Sequence, residues 1–306
     1  MSATVKPPGI ASRLVNGILS VKPLADLAKN RARSMMIRRA EAIGVPWREN
    51  VASLHSHDWR GELKQVQSLS TYPDYYLSSF HAYDQGNLCW EAALEVESAA
   101  HAVHATIWAD AGAQGDSQLR QSYHNVLTPM PLPPRNILDL GCSVGMSTFA
   151  LQAVYPEAQV TGLDLSPHFL AVARYRSRER QAQINWIHAA AESTGLADAS
   201  FDLVSACLLF HELPQLVAQA VFREARRLLR PGGYFAMMDM NPQAEAYKKM
   251  PPYILTLLKS TEPYLDQYFS LDLEQALVAA GFDSPTVTCN SPRHRTVIAQ
   301  VSSASV

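Results

Sequence analysis

Arg135 to Leu170 reads RNILDLGCSVGMSTFALQAVYPEAQVTGLDLSPHFL, and the rest of the chain is arranged around it. Asn136 to Leu140 is a short apolar run that ends in a turn signal. Gly141-Cys142-Ser143-Val144-Gly145 is a loop of small residues. Met146 to Val154 has no helix breaker and stops just before Tyr155-Pro156, so it is predicted to be helical. Gln159 to Leu163 is a second apolar run, closed by Asp164. Two buried strands joined by a crossover helix are expected to lie parallel.

The loop between them carries the chemistry. Gly141 lets the chain turn sharply off the strand end, and Gly145 has no Cβ to hold off a ligand or the helix backbone. The loop opens a helix, whose free N–H groups suit a carboxylate or phosphate. Asp164 lies 23 residues after Gly141, at the end of the next strand, where a carboxylate accepts hydrogen bonds from ribose hydroxyls. A dinucleotide fingerprint, G-x-G-x-x-G, fits poorly because serines stand at 143 and 147. A hydrolase elbow, G-x-S-x-G, is matched literally with Ser143 as nucleophile. Asp239 and His294 follow it in triad order, but no H-G-G-G-type oxyanion segment precedes it.

Composition narrows the class. At 306 residues, with a net charge of −2 and 18% charged residues, the chain can bury a large core and has no general attraction for nucleic acid. Cys89, Cys142, Cys207 and Cys289 are scattered without a C-x-x-C pair. Neither a disulfide framework nor a zinc knuckle is indicated, and a reducing, cytoplasmic setting is expected. No apolar run approaches the ~20 residues of a membrane span, and Met1 to Leu24 lacks the apolar core of a secretory signal.

Upstream, the sequence reads as helices. Residues 1–22 contain Pro and Gly and are expected to be loosely ordered. Pro23 to Ile43 reads as a basic helix with Lys29, Arg31, Arg33, Arg38 and Arg39, and with Leu24, Leu27, Met35 and Met36 as apolar partners. Docking on the body of the protein outweighs an anionic membrane surface as its role. The pair in His55-x-His57-Asp58 has no third ligand at suitable spacing, and no metal is expected. Tyr72 to Trp90, YPDYYLSSFHAYDQGNLCW, is the richest aromatic segment, of a kind that serves pockets and cores alike. Asn87 to Trp108 follows as a helix capped by Asn87. Cys89, Ala93, Val96, Ala100, Val103 and Ile107 share one of its faces, and Glu97, His101 and His104 a solvated one. Ser117 to Leu127 also reads as helical. Thr128 to Pro134 is a Pro-rich connector and the expected boundary, dividing a helical extension and lid (1–130) from a cofactor-binding catalytic domain (131–306).

Downstream, strands and helices alternate. Ser166 caps a helix that starts at Pro167. Ile184 to His188 and Phe201 to Cys207 are strands, and Leu213 to Leu229 is a long helix. Arg230 to Gly233 is a turn before a fifth strand, Tyr234 to Met240. An aromatic insertion, Pro251 to Tyr268, precedes a helix over Leu271 to Ala280 and a strand pair, Ser284 to Asn290 and Thr296 to Val301. The pattern predicts an α/β fold with a mostly parallel sheet covered on both faces.

Ile137 to Gly145 resembles motif I of the class I S-adenosylmethionine-dependent methyltransferases, with Ser143 replacing the middle Gly. VTGLDLS at Val160 to Ser166 is similar to their motif II. AAAESTGLADASFD at Ala189 to Asp202, FHEL at Phe210 to Leu213 and LRPGG at Leu229 to Gly233 resemble later family segments, in the right order. The resemblance runs from Arg135 to the C-terminus and is nearest to the type 11 or quinone C-methyltransferase-like branch. FHAYDQGNLCWEAALEVE resembles the leader of cyanobacterial and plastid proteins of that branch. The resemblance implies a Rossmann-like sheet with an antiparallel C-terminal strand, S-adenosyl-L-methionine as cofactor, and a small, aromatic or lipophilic acceptor. Carried over, Gly141, Cys142, Ser143 and Gly145 would pass under the methionine part, and Asp139 would hold its ammonium end through water. Asp164 would bind the ribose hydroxyls with Leu165 against adenine. Ala191 would touch the adenine ring, and Ala206 and Cys207 would line the methionine side. Ala190 stands where the family has an Asp for the adenine amine, and Glu192 is the substitute.

Methyl transfer from a sulfonium is a direct displacement that needs alignment above all. A hydroxyl acceptor must also lose a proton, and His211, just past the fourth strand, is the candidate base. No Asp of the kind used by metal-dependent catechol methyltransferases occurs between Asp202 and Pro214, which again argues against a metal. The strand ends take the cofactor, so the acceptor needs a cover from elsewhere. His81, Tyr83 and Trp90 are expected to face Tyr253 and Tyr264 across an apolar pocket with His211 at its floor. A non-catalytic binding protein on the same fold is the remaining rival.

Overall fold

Seven strands form one sheet among the described residues: β1 (Asn136–Leu140), β2 (Gln159–Asp164), β3 (Ile184–His188), β4 (Phe201–Cys207), β5 (Leu229–Met240), β6 (Thr286–Cys289) and β7 (His294–Gln300). Their order is β3-β2-β1-β4-β5-β7-β6. The first five run parallel, and β7 is antiparallel to both neighbours, as expected for the Rossmann-like methyltransferase sheet. The computed structural model describes residues 22–81, 83–128 and 133–302. Of residues 1–22, expected to be loosely ordered, 1–21 lie outside them, as does most of the Pro-rich connector.

The central strands are short apolar runs because both of their faces are covered. Ile137, Leu138, Leu140, Leu203, Val204 and Ala206 are fully buried. β5 starts earlier than expected and takes in Arg230 to Gly233. Phe201 pairs with Leu229, and an irregularity between Phe201 and Leu203 absorbs the turn within the ladder.

The helices before the sheet are α1 (Lys22–Ala42), α2 (Trp47–His55), α3 (Trp59–Val66), α4 (Trp90–His104) and α5 (Gly115–Leu127). After β1 come α6 (Met146–Val154), α7 (Pro167–Glu179), α8 (Gln215–Leu228), α9 (Glu245–Lys248), α10 (Pro252–Thr261), α11 (Leu265–Ser270) and α12 (Leu273–Ala279). Pro167 opens α7 behind a Ser166 cap, as expected. No helix among the described residues is long and apolar enough to cross a membrane.

Two amphipathic readings are corrected. In α1, Leu27 and Met35 are exposed, and the inward residues are Ile37 and Ala40, packed with Trp47 and Ala102. The helix docks on α4, where the Arg33 Nε donates to Glu95 Oε2 at 2.9 Å. Leu24 lies outside the described side chains. In α4, Val103 faces solvent while Glu95, Ser98 and His104 are buried. Polar groups occupy the inner face because each has a partner. Tyr83 donates to Glu95 at 2.8 Å, and His104 Nδ1 lies 2.7 Å from Asp116 Oδ1. Cys89, not Asn87, caps α4, its sulfur accepting from the Ala92 N–H.

The leader and the sheet share one core, in which Ile107, Leu119, Tyr123 and Leu127 pack with Ile137, Leu151, Val160 and Leu203. Tyr123 is fully buried. Its hydroxyl donates to the Ala236 carbonyl at 3.1 Å and lies 2.9 Å from Ser205 Oγ. Tyr123→Phe leaves the buried Ser205 hydroxyl without its partner, at an expected cost of about 1–3 kcal/mol. Urea unfolding of wild type and variant measures this; an unchanged midpoint would mean that α5 is not anchored to the sheet through this hydroxyl.

Candidate active site

The loop after β1 needs its glycines. Gly141, Ser143 and Gly145 all have positive φ, at 64°, 51° and 89°. A Cβ on Gly145 would stand 2.7 Å from the Trp186 ring. The loop is held from the neighbouring strand end: Asp164 Oδ2 accepts the Ser143 N–H and Oδ1 the Ser166 N–H, each at 2.7 Å. The buried Cys142 donates its N–H to the Leu163 carbonyl at 3.0 Å. Asp139 is fully buried. Its Oδ2 accepts the Ser147 and Thr148 hydroxyls at 2.6 and 2.7 Å, while its Oδ1 has no partner. Burial pushes both Asp139 and Asp164 up to about 6, against the hydrogen bonds they accept. Beyond β2, His188 Nε2 lies 3.0 Å from the Leu165 carbonyl, and its Nδ1 accepts the Ser68 N–H at 3.0 Å. Ala191 and Ala206 are buried in one core with Leu140 and Leu163, and Cys207 packs beside Tyr123 on the other.

The leader lies across these strand ends. A 3-10 turn, Asp74–Leu77, places the Tyr75 hydroxyl 2.8 Å from Glu192 Oε1. Tyr264 donates to the Tyr75 carbonyl at 3.2 Å. Burial, with Asp164 and Glu212 nearby, raises the pKa of the Tyr76 phenol. Tyr75, Tyr76, Phe80, Asn87, Leu209, Glu212 and Leu213 line the cleft beneath.

A polar corner closes that cleft. His211 Nδ1 lies 2.8 Å from Oδ1 of the fully buried Asp239. Asp239 also accepts the N–H groups of Phe210, His211 and Met240. His81 is held at φ 49°, a left-handed conformation rare for such a residue, and its N–H donates to the Thr261 carbonyl. Its Nε2 lies 3.0 Å from Glu262 Oε1 and 3.7 Å from Glu212 Oε1. Asn87 donates to Glu212 Oε2 at 3.1 Å and accepts the Ser166 hydroxyl at 2.6 Å. Burial would lower the His211 pKa, but Asp239 outweighs it and raises the imidazole to about 10. Burial pushes Glu212 up to about 7, with His81 and His211 opposing.

Of the expected acceptor residues, His81 and Tyr264 stand behind the cleft lining, His81 against Glu212 and Tyr264 against the Tyr75 backbone. Tyr83 turns inward to Glu95. Trp90 packs on Trp59 and His168, with ring centroids 5.4 and 4.7 Å away. Tyr253 is 44% exposed. Tyr83 is drawn inward by the buried Glu95 carboxylate it donates to, and Trp90, the first residue of α4, by its ring contacts. Sequence reasoning missed Tyr75, Tyr76, Asn87, Asp239, Glu212 and Glu262 as site residues. The YPDYY run was a signal for the tyrosines, whereas nothing local marks Glu262.

The hydrolase reading does not survive. Ser143 Oγ has no hydrogen-bond partner, Asp239 is engaged by His211, and His294 Nδ1 lies 2.8 Å from Ser291 Oγ. The triad is not assembled.

Comparison with known proteins bears on the same residues. A methyltransferase-domain family matches residues 137–233. An uncharacterized methyltransferase of Synechocystis is 31% identical over 150 residues, covering 49% of this chain and 68% of that protein. A ubiquinone/menaquinone biosynthesis C-methyltransferase of Methylobacterium nodulans is 34% identical, covering 38% of this chain and 46% of its own length. A ubiquinone biosynthesis O-methyltransferase of Xanthomonas campestris is 31% identical, covering 46% and 59%. The chain thus spans about half the length of these last two. A putative O-methyltransferase structure from Nostoc punctiforme superposes with a TM-score of 0.54 at 18% identity, over 79% of this chain and 67% of that one. A Pyrococcus horikoshii protein gives 0.51 at 18% identity, over 65% and 96%. At that identity these likenesses concern the fold.

Ser143 combines a left-handed backbone with a buried, unpartnered hydroxyl. Ser143→Gly removes both costs and adds glycine's chain entropy, for a net gain of about 1 kcal/mol. A raised melting temperature is expected, with no fluorophosphonate labelling of Ser143 in the wild type. A lower one would mean that the hydroxyl has a partner the loop depends on.

Proposed function

The chain belongs to the class I S-adenosylmethionine-dependent methyltransferases, and from that premise we propose that its acceptor is a small aromatic or lipophilic molecule. The acceptor would sit between the leader turn Asp74–Leu77 and the ends of β4 and β5. The lining carries this reading: Tyr75, Tyr76, Phe80, Leu209 and Leu213 give an apolar cleft, with polar groups gathered at the corner of His81, His211 and Glu212. A few converging polar groups in an apolar cleft are what orient a small ligand. The two relatives named for ubiquinone or menaquinone biosynthesis agree with an acceptor of this kind.

The residues fit the cofactor. Asp139 Oδ1, buried without a partner, suits the ammonium end through a water. The amino end of α6 and the loop from Gly141 through Cys142 and Ser143 to Gly145 suit the carboxylate. Asp164 accepts one backbone N–H on each oxygen and keeps lone pairs for the ribose hydroxyls. Leu165 and Ala191 would flank adenine, and Glu192 Oε2, also without a partner, would take its amine. Ala206 and Cys207 would lie along the methionine side. When bound, the cofactor supplies a methyl group on a sulfonium, open to in-line displacement. The chain's part is to orient the acceptor and to exclude water. Tyr75 and Tyr76 would cover the cleft, Tyr264 would hold the cover through the Tyr75 carbonyl, and His211, braced by Asp239, would turn its other ring nitrogen toward the polar corner of the cleft.

In this reading residues 1–130 form the lid and 131–306 the cofactor domain, working in a reducing cytoplasm on a small molecule and not on nucleic acid. Helix α1, docked on α4, serves the lid; a membrane is not needed as its partner.

Asp164→Ala removes two charge-assisted bonds to ribose, about 1.5–3 kcal/mol each. Affinity for S-adenosylhomocysteine should fall tenfold or more by calorimetry, in a variant whose circular dichroism matches wild type. Equal affinity would remove Asp164 from the ribose site. Methyl transfer from labelled cofactor should reach apolar phenols and quinols. Tight cofactor binding without transfer to any of them would favour the binding-protein rival.

A further inference from the structure

We infer that the polar corner is a divalent transition-metal site, with His81, His211 and Glu212 as ligands, that holds and activates an acceptor hydroxyl. One donor atom from each of these residues lies within 4.8 Å of the others. Two imidazoles and one carboxylate are a donor set of catalytic zinc centres, which keep the fourth position open for water or substrate. A tetrahedral zinc with bonds of about 2.1 Å has donor–donor edges of about 3.4 Å. The His81 Nε2 to Glu212 Oε1 separation, 3.7 Å, is already close to that.

The surroundings are those of a ligand set. His211 gives Nδ1 to the buried Asp239, which fixes the ring and leaves Nε2 for an ion. A carboxylate behind a histidine is the usual outer shell of a metal-bound imidazole. Glu212 is oriented by Asn87 at 3.1 Å. His81 stands on a left-handed backbone that aims it into the corner. Glu262 lies 3.0 Å from His81, is 6% exposed and has Oε2 without a partner. Among the described residues, Glu212, Glu262 and Asp239 have only imidazoles within ion-pair distance, and no lysine or arginine. Buried carboxylates without a fixed cation are ready to take a mobile one.

The site deepens the proposed function and rests on it. The acceptor hydroxyl oxygen takes the open position, and its proton passes to Glu262. The oxygen lone pair then forms the bond to the methyl carbon. The carbon–sulfur pair returns to sulfur, leaving a neutral thioether and a methyl ether. No oxidant or further reactant is needed. No local pattern marks this set, because the ligands come from the leader and from the turn after β4, and Glu262 from the insertion.

The test uses the full chain, stripped with a chelator and dialysed, then titrated with Zn2+ by calorimetry and with Co2+ by visible absorption. One ion per chain is expected, with Co2+ giving the strong bands of a low-symmetry four-coordinate site. His81→Ala and Glu212→Gln, both at partly exposed positions, should each weaken binding tenfold or more. His57→Ala, outside the corner, should bind as wild type. No binding, or equal binding in His81→Ala, would overturn the site. S-adenosylhomocysteine affinity measured on the stripped protein separates the two readings: if it is retained while Zn2+ does not bind, the metal site fails and the methyltransferase reading stands. Transfer at an unchanged rate in the stripped protein would overturn the ion's part in activating the acceptor.

Discussion

A buried carboxylate stands at or near the end of each of three strands, and the loops that make the cleft hang on them. Asp164 gathers the N–H groups of Ser143 and Ser166. Asp239 gathers those of Phe210, His211 and Met240. Asp139 takes the hydroxyls that open α6. A parallel sheet leaves its strand ends together on one edge, where the chain must turn and the peptide groups need partners. These carboxylates satisfy those groups and also place acidic side chains beside the cleft. The stabilising contacts and the chemical ones are therefore the same contacts, and they cannot be tuned separately.

The sheet was legible because its signal is local. Each of β1 to β4 is an apolar run closed by a turn, and the loop after β1 carries glycines at Gly141 and Gly145 where positive φ is required. The start of β5 was hidden because the pairing of Phe201 with Leu229 is a matter of register, invisible in Arg230 to Gly233 read alone. In the leader the signal failed for a different reason. Glu95, Ser98 and His104 belong to the buried face of α4, so counting apolar residues pointed the helix the wrong way. Trp90, its first residue, went with it.

The site was half legible. Asp139 and Asp164, at or next to a strand end, and His211, just past one, could be placed by position. The partners of His211 could not. Asp239 reads as the tail of an apolar strand, and Glu262 as one charge in an aromatic insertion. What brings them to the corner is convergence from distant parts of the chain, and the sequence bears no local mark of it.

Tyr75 receives a hydrogen bond from Tyr264, 189 residues away, and in the same turn reaches Glu192 with its hydroxyl. This short piece of backbone thus overlies the places assigned to both reactants. On the proposed arrangement neither would arrive or depart while it is seated, so a single opening motion would meter every passage. Turnover would then have an upper bound set by how often a four-residue turn lets go of a few hydrogen bonds, however fast the chemistry below it runs.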